Sequence, residues 1–339
     1  MLIPALLCSV SCTERDDQAG HKPMVGFVVA NKQLNFSQEM SLGFIAGVDQ
    51  VGGVGYQVDG PNIVDGPRQL AQFREMLTTA RGGLSVFTLT PDLFAGPMAE
   101  AIGAGVPVVA VDSPALPSAG VKLFIGNDSY ALGRLLAREV IRRLPADATG
   151  KIVLGTSAPG VPVLDGRARG IADEIKEKLP NVTVFGPFDT RQEVEANLAA
   201  WSTLVELNSS ALAFIGTGDA DGWNLAEIRR RTGATWLAGA FDIGPKSLAA
   251  VRTGGLILVS PEHYVKGAVA GLLTAEHAKT GKDLPEGWLY VPGIAVDGDN
   301  VDEIVARQAT VATRKAAFAA QIDDVLRNPA NLRPLDEVS

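Results

Sequence analysis

The chain has 339 residues, long for one hydrophobic core and comfortable for two, since single domains commonly run to about 100–200 residues. With 46% apolar and 20% charged residues it has the balance of a water-soluble globular protein, and no internal run approaches the roughly 18 apolar residues of a membrane span. A net charge of −8 without any basic stripe excludes nucleic acid as the partner, because phosphate binding needs concentrated Lys and Arg.

Both cysteines, Cys8 and Cys12, lie at the very start, so the body offers no thiol for a disulfide, a metal site or nucleophilic catalysis. The opening MLIPALLCSVSC reads as the apolar core of a secretion signal running into small residues and a cysteine, followed at once by the polar TERDDQAGHKP. This opening resembles a bacterial lipoprotein signal in which Cys12 becomes the lipidated first residue, which would anchor the protein to a membrane outside the cytoplasm. Ser9 stands where such signals usually carry Leu, and no Lys or Arg precedes the apolar run.

From Met24 onward strands and helices alternate at βαβ spacing, which predicts parallel sheets with helices on both faces. Strands are expected at 24–30, 54–60, 84–90 and 106–112, with helical spacing in the segments between them. The last of these is fenced by Gly105 and by Asp112-Ser113-Pro114, so Asp112 falls at a strand's carboxyl end, where ligands collect in open α/β sheets. A short apolar run, Val121 to Ile125, leads to Gly126-Asn127-Asp128-Ser129 ahead of a helix. A second lobe then repeats the scheme, with strands at 151–157, 182–186, 211–216, 235–242 and 256–260. The helical segment EHYVKGAVAGLLTAEHAK follows, then WLYVPGIAVDGDNVDEI and a helix-prone tail.

In its order and spacing the chain resembles the periplasmic sugar-binding proteins of the ribose-binding type, which deliver sugars to ABC importers. The resemblance covers about residues 24–308. It is carried by VPVVAVD followed by FIGNDSYALG, by Arg167-Ala168-Arg169-Gly170 opening a helix, by AFD at 240–242 and by IAVDGDNVDEI. It implies an α/β fold of two doubly wound parallel-sheet lobes joined by a three-segment hinge, the type I periplasmic binding protein fold, with crossings near 126, 260 and 293. On that reading residues 1–23 are signal and linker, and 24–126 plus 261–292 form the N-terminal lobe. Residues 127–260 plus 293–320 form the C-terminal lobe, and 321–339 are a tail.

Position by position, the resemblance implies ligand contacts at Phe36, Asp112, Asn127, Arg167, Phe188, Gly218, Asp219 and Asp242, with Glu262 or His263 beside them. A neutral polyhydroxylated ligand offers hydroxyls to carboxylates, amides and an Arg fork, and C–H faces to aromatic rings. Each residue also has a plainer reading: Asp112 as a turn cap, Asn127 as a helix N-cap, Phe36 and Phe188 as core, and Arg167 as a surface charge paired with Asp165 or Asp173. The family places two adjacent aromatics where this chain has Phe36-Ser37, and an Asn where it has Leu34, so a different pentose or a linear sugar alcohol is as plausible as ribose.

The segment IGTGDADG, residues 215–222, imitates the dinucleotide fingerprint G-x-G-x-x-G, but its third glycine is displaced to Gly222 and two acids would face the pyrophosphate. A doubly wound enzyme is therefore the weaker reading, and no cofactor or metal is implied. A repressor would need a helix-turn-helix before the first strand, which residues 1–23 do not supply. The expected role is a monomeric, extracytoplasmic receptor that captures a sugar or polyol for an ABC transporter permease, with a sugar-sensing receptor as the alternative.

Overall fold

The computed structural model describes residues 22–338, so the leader and the lipidation expected at Cys12 lie outside the described residues. Two sheets organise the chain, and their inner strands are short apolar runs buried on both faces. The first half builds β1 (Met24–Val28), α1 (Asn35–Val51), β2 (Gly55–Asp59), α2 (Gly66–Met76), β3 (Leu84–Val86), α3 (Pro91–Gly103), β4 (Val108–Val111) and β5 (Leu123–Gly126). Then follow α4 (Ser129–Ile141), β6 (Gly150–Thr156), α5 (Pro162–Lys178), β7 (Val182–Asp189), α6 (Val194–Leu207), β8 (Ala213–Gly216), α7 (Asp219–Thr232), β9 (Leu237–Phe241), α8 (Pro245–Arg252) and β10 (Ile257–Ser260). The chain closes with α9 (His263–Thr280), β11 (Gly287–Tyr290), β12 (Ile294–Val296), α10 (Val301–Arg307), α11 (Val311–Arg327) and β13 (Leu332–Arg333).

The first sheet runs β13-β11-β5-β4-β3-β1-β2 and the second β12-β10-β9-β8-β6-β7. All pairings are parallel except the two at the edges, β11 with β13 and β10 with β12. In each sheet the strand order reverses, between β1 and β3 in one and between β6 and β8 in the other, which opens a crevice at the carboxyl ends of the strands. This is the doubly wound, two-lobed type I architecture that the alternating pattern predicts.

Four crossings join the lobes. The chain passes from β5 into α4, whose Leu132 and Leu136 enter the second core, and returns from β10 into α9, whose Val265 and Val269 enter the first. It crosses again between β11 and β12. After α10, which buries Val301 and Ile304 in the second lobe, it comes back once more.

That last return corrects the expected boundary at 320 and the reading of 321–339 as a tail. Helix α11 belongs to the first lobe: Phe318 and Val325 are buried in its core with Ile322 against them, an i, i+4, i+7 stripe that docks on α9. The Phe318 ring stacks on Tyr264 at 5.0 Å, and β13 adds to the edge of β11, where the Arg333 guanidinium lies 3.8 Å from the centre of the Tyr290 ring. The stripe was present in the sequence, but three apolar positions among polar ones do not say which lobe they face. Phe318→Ala is expected to destabilise the protein by about 3–5 kcal/mol, the usual cost of emptying a buried aromatic site. Urea unfolding measures it, and a change within about 0.5 kcal/mol, the range of ordinary surface substitutions, would show that α11 is not part of this core.

Candidate functional site

Between the lobes lies a cleft lined from the carboxyl ends of strands in both sheets. The first lobe contributes Phe36 from the first turn of α1, Phe87 just past β3 and Asp112 just past β4, and α9 brings His263. The second contributes Ser157 past β6, Arg167 from α5, Asp219 at the start of α7 and Asp242 just past β9. Asp112 and Asp242 repeat one device in the two lobes. Each follows a buried strand in left-handed backbone, φ 63° and 71°, and each donates its N–H to a neighbouring strand, to the carbonyls of Ile125 and Val259. Asp tolerates that conformation better than most residues, and the turn aims its carboxylate into the crevice.

Arg167 is placed by helix packing. Helix α5 lies so close to α4 that a methyl group on Gly170 would be driven into the Tyr130 carbonyl, and one on Gly133 into the carbonyl of Arg167 itself. In the Arg-Ala-Arg-Gly motif, Gly170 therefore makes the contact, Arg169 faces solvent, and Arg167 is only 2% exposed. Its Nη1 donates to the Thr217 carbonyl at 2.8 Å and lies 3.8 Å from Asp242 Oδ2, with the guanidinium 4.5 Å from the centre of the Phe241 ring. The surface pairing with Asp165 or Asp173 does not form. Asp165 accepts from the Gly160 N–H, and Asp173 accepts from the Tyr130 hydroxyl.

The charges in the cleft balance one another. Burial would lift the Asp112 carboxyl, but Lys266, His263 and Arg167 outweigh it and hold it at about 2. Asp242 is likewise lifted by burial and brought below its ordinary value by Arg167 and His263, the His263 Nε2 lying 2.7 Å from its Oδ1. His263 itself is pushed down by burial and by Lys266, despite both carboxylates, and so stays uncharged at neutral pH. Asp219 goes the other way: burial, then Asp242 and Asp221, raise its carboxyl well above the usual range and favour the neutral acid. Two carboxylates thus face two cations, Arg167 and Lys266. Three buried polar atoms on the walls, Arg167 Nε, Asp219 Oδ1 and His263 Nδ1, have no hydrogen-bond partner among the described residues. Buried polar groups are normally paired, so these three are donors and acceptors available to a bound molecule.

Of the ten residues singled out in the sequence, the structure brings seven to the cleft: Phe36, Asp112, Arg167, Gly218, Asp219, Asp242 and His263. Three sit elsewhere. Asn127 is buried in the hinge, where its Nδ2 donates to the carbonyls of Pro261 and Val291, while Asp128 caps α4 by accepting from the Ala131 N–H. Phe188 packs against the second core and edge-on to Phe185, because β7 runs through to Asp189 instead of stopping at Gly186; Gln192 lines the cleft from the following loop. Glu262, left-handed at φ 55°, turns away and accepts from Arg307 Nη2 at 2.7 Å.

Ser157 and Gln192 line the cleft without having been singled out, and two further residues that matter to it were missed. Phe87 supplies the second ring, edge-on to Phe36 at 5.6 Å, because β3 ends at Val86 instead of running on to residue 90 as expected. Lys266 is fully buried against Asp112, and its signal was a lone cation within the apolar run of α9.

The imitation of a dinucleotide fingerprint also resolves. Asp221 is fully buried and accepts from the Gly218 N–H and from Thr190, Asn197 and Trp201, all at 2.7–2.8 Å. A carboxylate of the chain itself therefore holds the loop amide that a phosphate would need. Asp219→Asn follows from the raised Asp219 carboxyl. A group whose folded pKa is raised contributes stability that is full below the unfolded value, near 4, and is lost as pH rises through the folded one. The amide removes that loss, so the variant should gain thermal stability relative to the parent between about pH 4 and pH 8. A constant difference in melting temperature across that range would contradict the raised value.

Comparison with known proteins places this geometry. The sequence matches the family described as periplasmic binding protein domain over residues 25–283. A curated relative, the xylose/arabinose-binding protein XylF of Sulfolobus acidocaldarius, is 22% identical over 228 residues, 62% of this chain and 56% of that protein, so the match spans little more than half of the relative's length. Among solved structures, the glucose-galactose binding protein GanP of Geobacillus stearothermophilus has a TM-score of 0.74 at 19% identity, covering 83% of this chain and 99% of that one. A carbohydrate transporter solute binding protein of Agrobacterium radiobacter, in complex with D-arabinose, has a TM-score of 0.76 at 18% identity, with 85% and 98% covered. With a match across most of its length and the fold to go with it, this chain belongs to the periplasmic binding protein family.

Proposed function

We propose that this chain is an extracytoplasmic solute-binding protein that captures an uncharged sugar or sugar alcohol, a pentose or a linear polyol, and delivers it to an ABC importer. The observation that carries this reading is the chemistry of the cleft. Its carboxylates and cations already offset each other, so a charged ligand would leave an unpaired charge in a dry site, whereas hydroxyls can both donate and accept. The free atoms on Arg167, Asp219 and His263 suit hydroxyl groups, and Phe36 with Phe87 presents an apolar face for C–H surfaces. The relatives named for pentoses and hexoses support the same class. Anchoring through Cys12 belongs to this reading and accounts for how such a receptor stays near its permease.

Ligand would act by population shift, stabilising the closed lobes because it touches both at once. Asp112 and the two rings hold it from the first lobe; Arg167, Asp219 and Asp242 hold it from the second. A thermal-shift screen of pentoses, hexoses and four- to six-carbon polyols, with NAD as control, tests this. A specific ligand at 100-fold over its dissociation constant adds about 2.7 kcal/mol, a shift of several degrees. A shift from NAD with none from any sugar would reject the proposal.

For the bound ligand, Arg167→Ala is expected to weaken affinity by about 1.5–3 kcal/mol, the range for hydrogen bonds made by a charged group. Unchanged affinity by calorimetry would remove Arg167 from the site.

A further inference from the structure

Lys266 does not line the cleft, yet its ammonium is fully buried between a cleft carboxylate and the hinge. We infer that Lys266 is a positioning residue that joins Asp112, the ligand-facing acid of the first lobe, to Asn127, the amide that ties the crossing segments together. The inference rests on the solute-binding reading for the role of Asp112, while the link to the hinge stands on geometry alone.

Four hydrogen bonds make the chain of connection. Lys266 Nζ donates to Asp112 Oδ1 and, at 2.7 Å, to Asn127 Oδ1. Asn127 spends its own Nδ2 on the Pro261 carbonyl at 3.0 Å and the Val291 carbonyl at 2.6 Å. Residue 127 lies in the crossing from β5 to α4, 261 in that from β10 to α9, and 291 in that from β11 to β12. One side-chain amide therefore spans three of the connections between the lobes, and one ammonium orients that amide. A hinge opens by changing backbone torsions at a few such positions, and here they are tied so that they change together.

Charge makes the link mutual. Asp112 is faced by Lys266 and His263 from α9, by Arg167 from α5 and by Asp242 from the end of β9. Burial and Arg167 act against the Lys266 ammonium, and Asp112 and Asp242 support it. Without the ammonium, Asp112 loses the largest of the charges that hold its proton off, and Asn127 loses the donor that fixes which way its amide points. A ligand hydroxyl on Asp112 and the geometry of the hinge then respond to the same atom.

The test compares wild type, Lys266→Met, Asp112→Asn and the double variant. Calorimetry with D-xylose and D-arabinose as probes should show Lys266→Met weakening binding roughly 30-fold or more, as truncating one partner of a buried charge pair does. That loss should grow as pH falls from about 7.5 to about 5, because Asp112 then takes up a proton, on top of whatever Asp219 and His263 contribute to wild type and variant alike. In the Asp112→Asn background the same change should cost much less. A second arm needs no sugar. With Cys8 and Cys12 changed to Ser, cysteines introduced at Ile63 and Leu207, both well exposed and on different lobes, take spin labels for an interlobe distance distribution. Lys266→Met should broaden that distribution, and so should the double variant, which removes both charges together should the single one not fold. If neither probe binds wild type, the pentose reading fails and the distance arm still decides the hinge link. A pH profile and a distance distribution both unchanged by Lys266→Met would overturn the inference.

Discussion

Asp112, Asp219, Asp242, Arg167, His263 and Lys266 share one space from which water is largely excluded, and an ion taken out of water costs several kcal/mol unless a partner offsets it. The construction of the cleft answers to that constraint. Asp112 and Asp242 keep their charge because a cation stands beside each; His263 and Asp219 meet it by staying neutral. The backbone is arranged to the same end, with both acids in left-handed turns at strand ends and Arg167 carried in by a helix that glycine lets approach closely. On the proposed reading, a cleft balanced in this way discriminates by charge before it discriminates by shape. An ionic solute would have to bring its own counter-charge, whereas a hydroxylated one needs only to complete hydrogen bonds left open on the walls.

The two lobes meet in a closed arrangement. Asn35, at the start of α1, donates across the mouth of the cleft to the Ile243 carbonyl of the second lobe. Behind the cleft, Glu262 accepts from Arg307, whose guanidinium lies 4.5 Å from the centre of the Phe318 ring, so the base of α9, the end of α10 and the body of α11 pack as one unit at the back of the hinge. Movement is left to the short segments between β5 and α4, β10 and α9, and β11 and β12.

Much of the fold was legible in the sequence, because apolar runs of four to seven residues between helical segments admit few arrangements. The site was legible where a residue's place follows from a strand end, as with Asp112 and Asp242, or from helix packing, as with Arg167 and Gly170. It was not legible where a single residue of phase decides the outcome. Phe87 faces the cleft because β3 stops at Val86; Phe188 does not because β7 runs on to Asp189; Glu262 turns away while His263, its neighbour, turns in. Asn127 and Lys266 lie beyond such reasoning for another cause. Their partners are 134 and 154 residues away in the chain, and no local pattern encodes a contact made only when both lobes are assembled.

The return of α11 and β13 to the first lobe bears on the order in which the chain can become ordered. The second lobe takes all of its sheet but β12 from one continuous stretch, residues 127–260, and closes by contacts between near neighbours. The first lobe is threaded differently: β2 stands at one edge of its sheet and β13 at the other, so that sheet is complete only when nearly the last residue is in place. Long-range closure of this kind is slow relative to local pairing. In a chain made from its N-terminus, the part synthesised first is thus the part finished last, and the second lobe can close while the first still waits for its final strand.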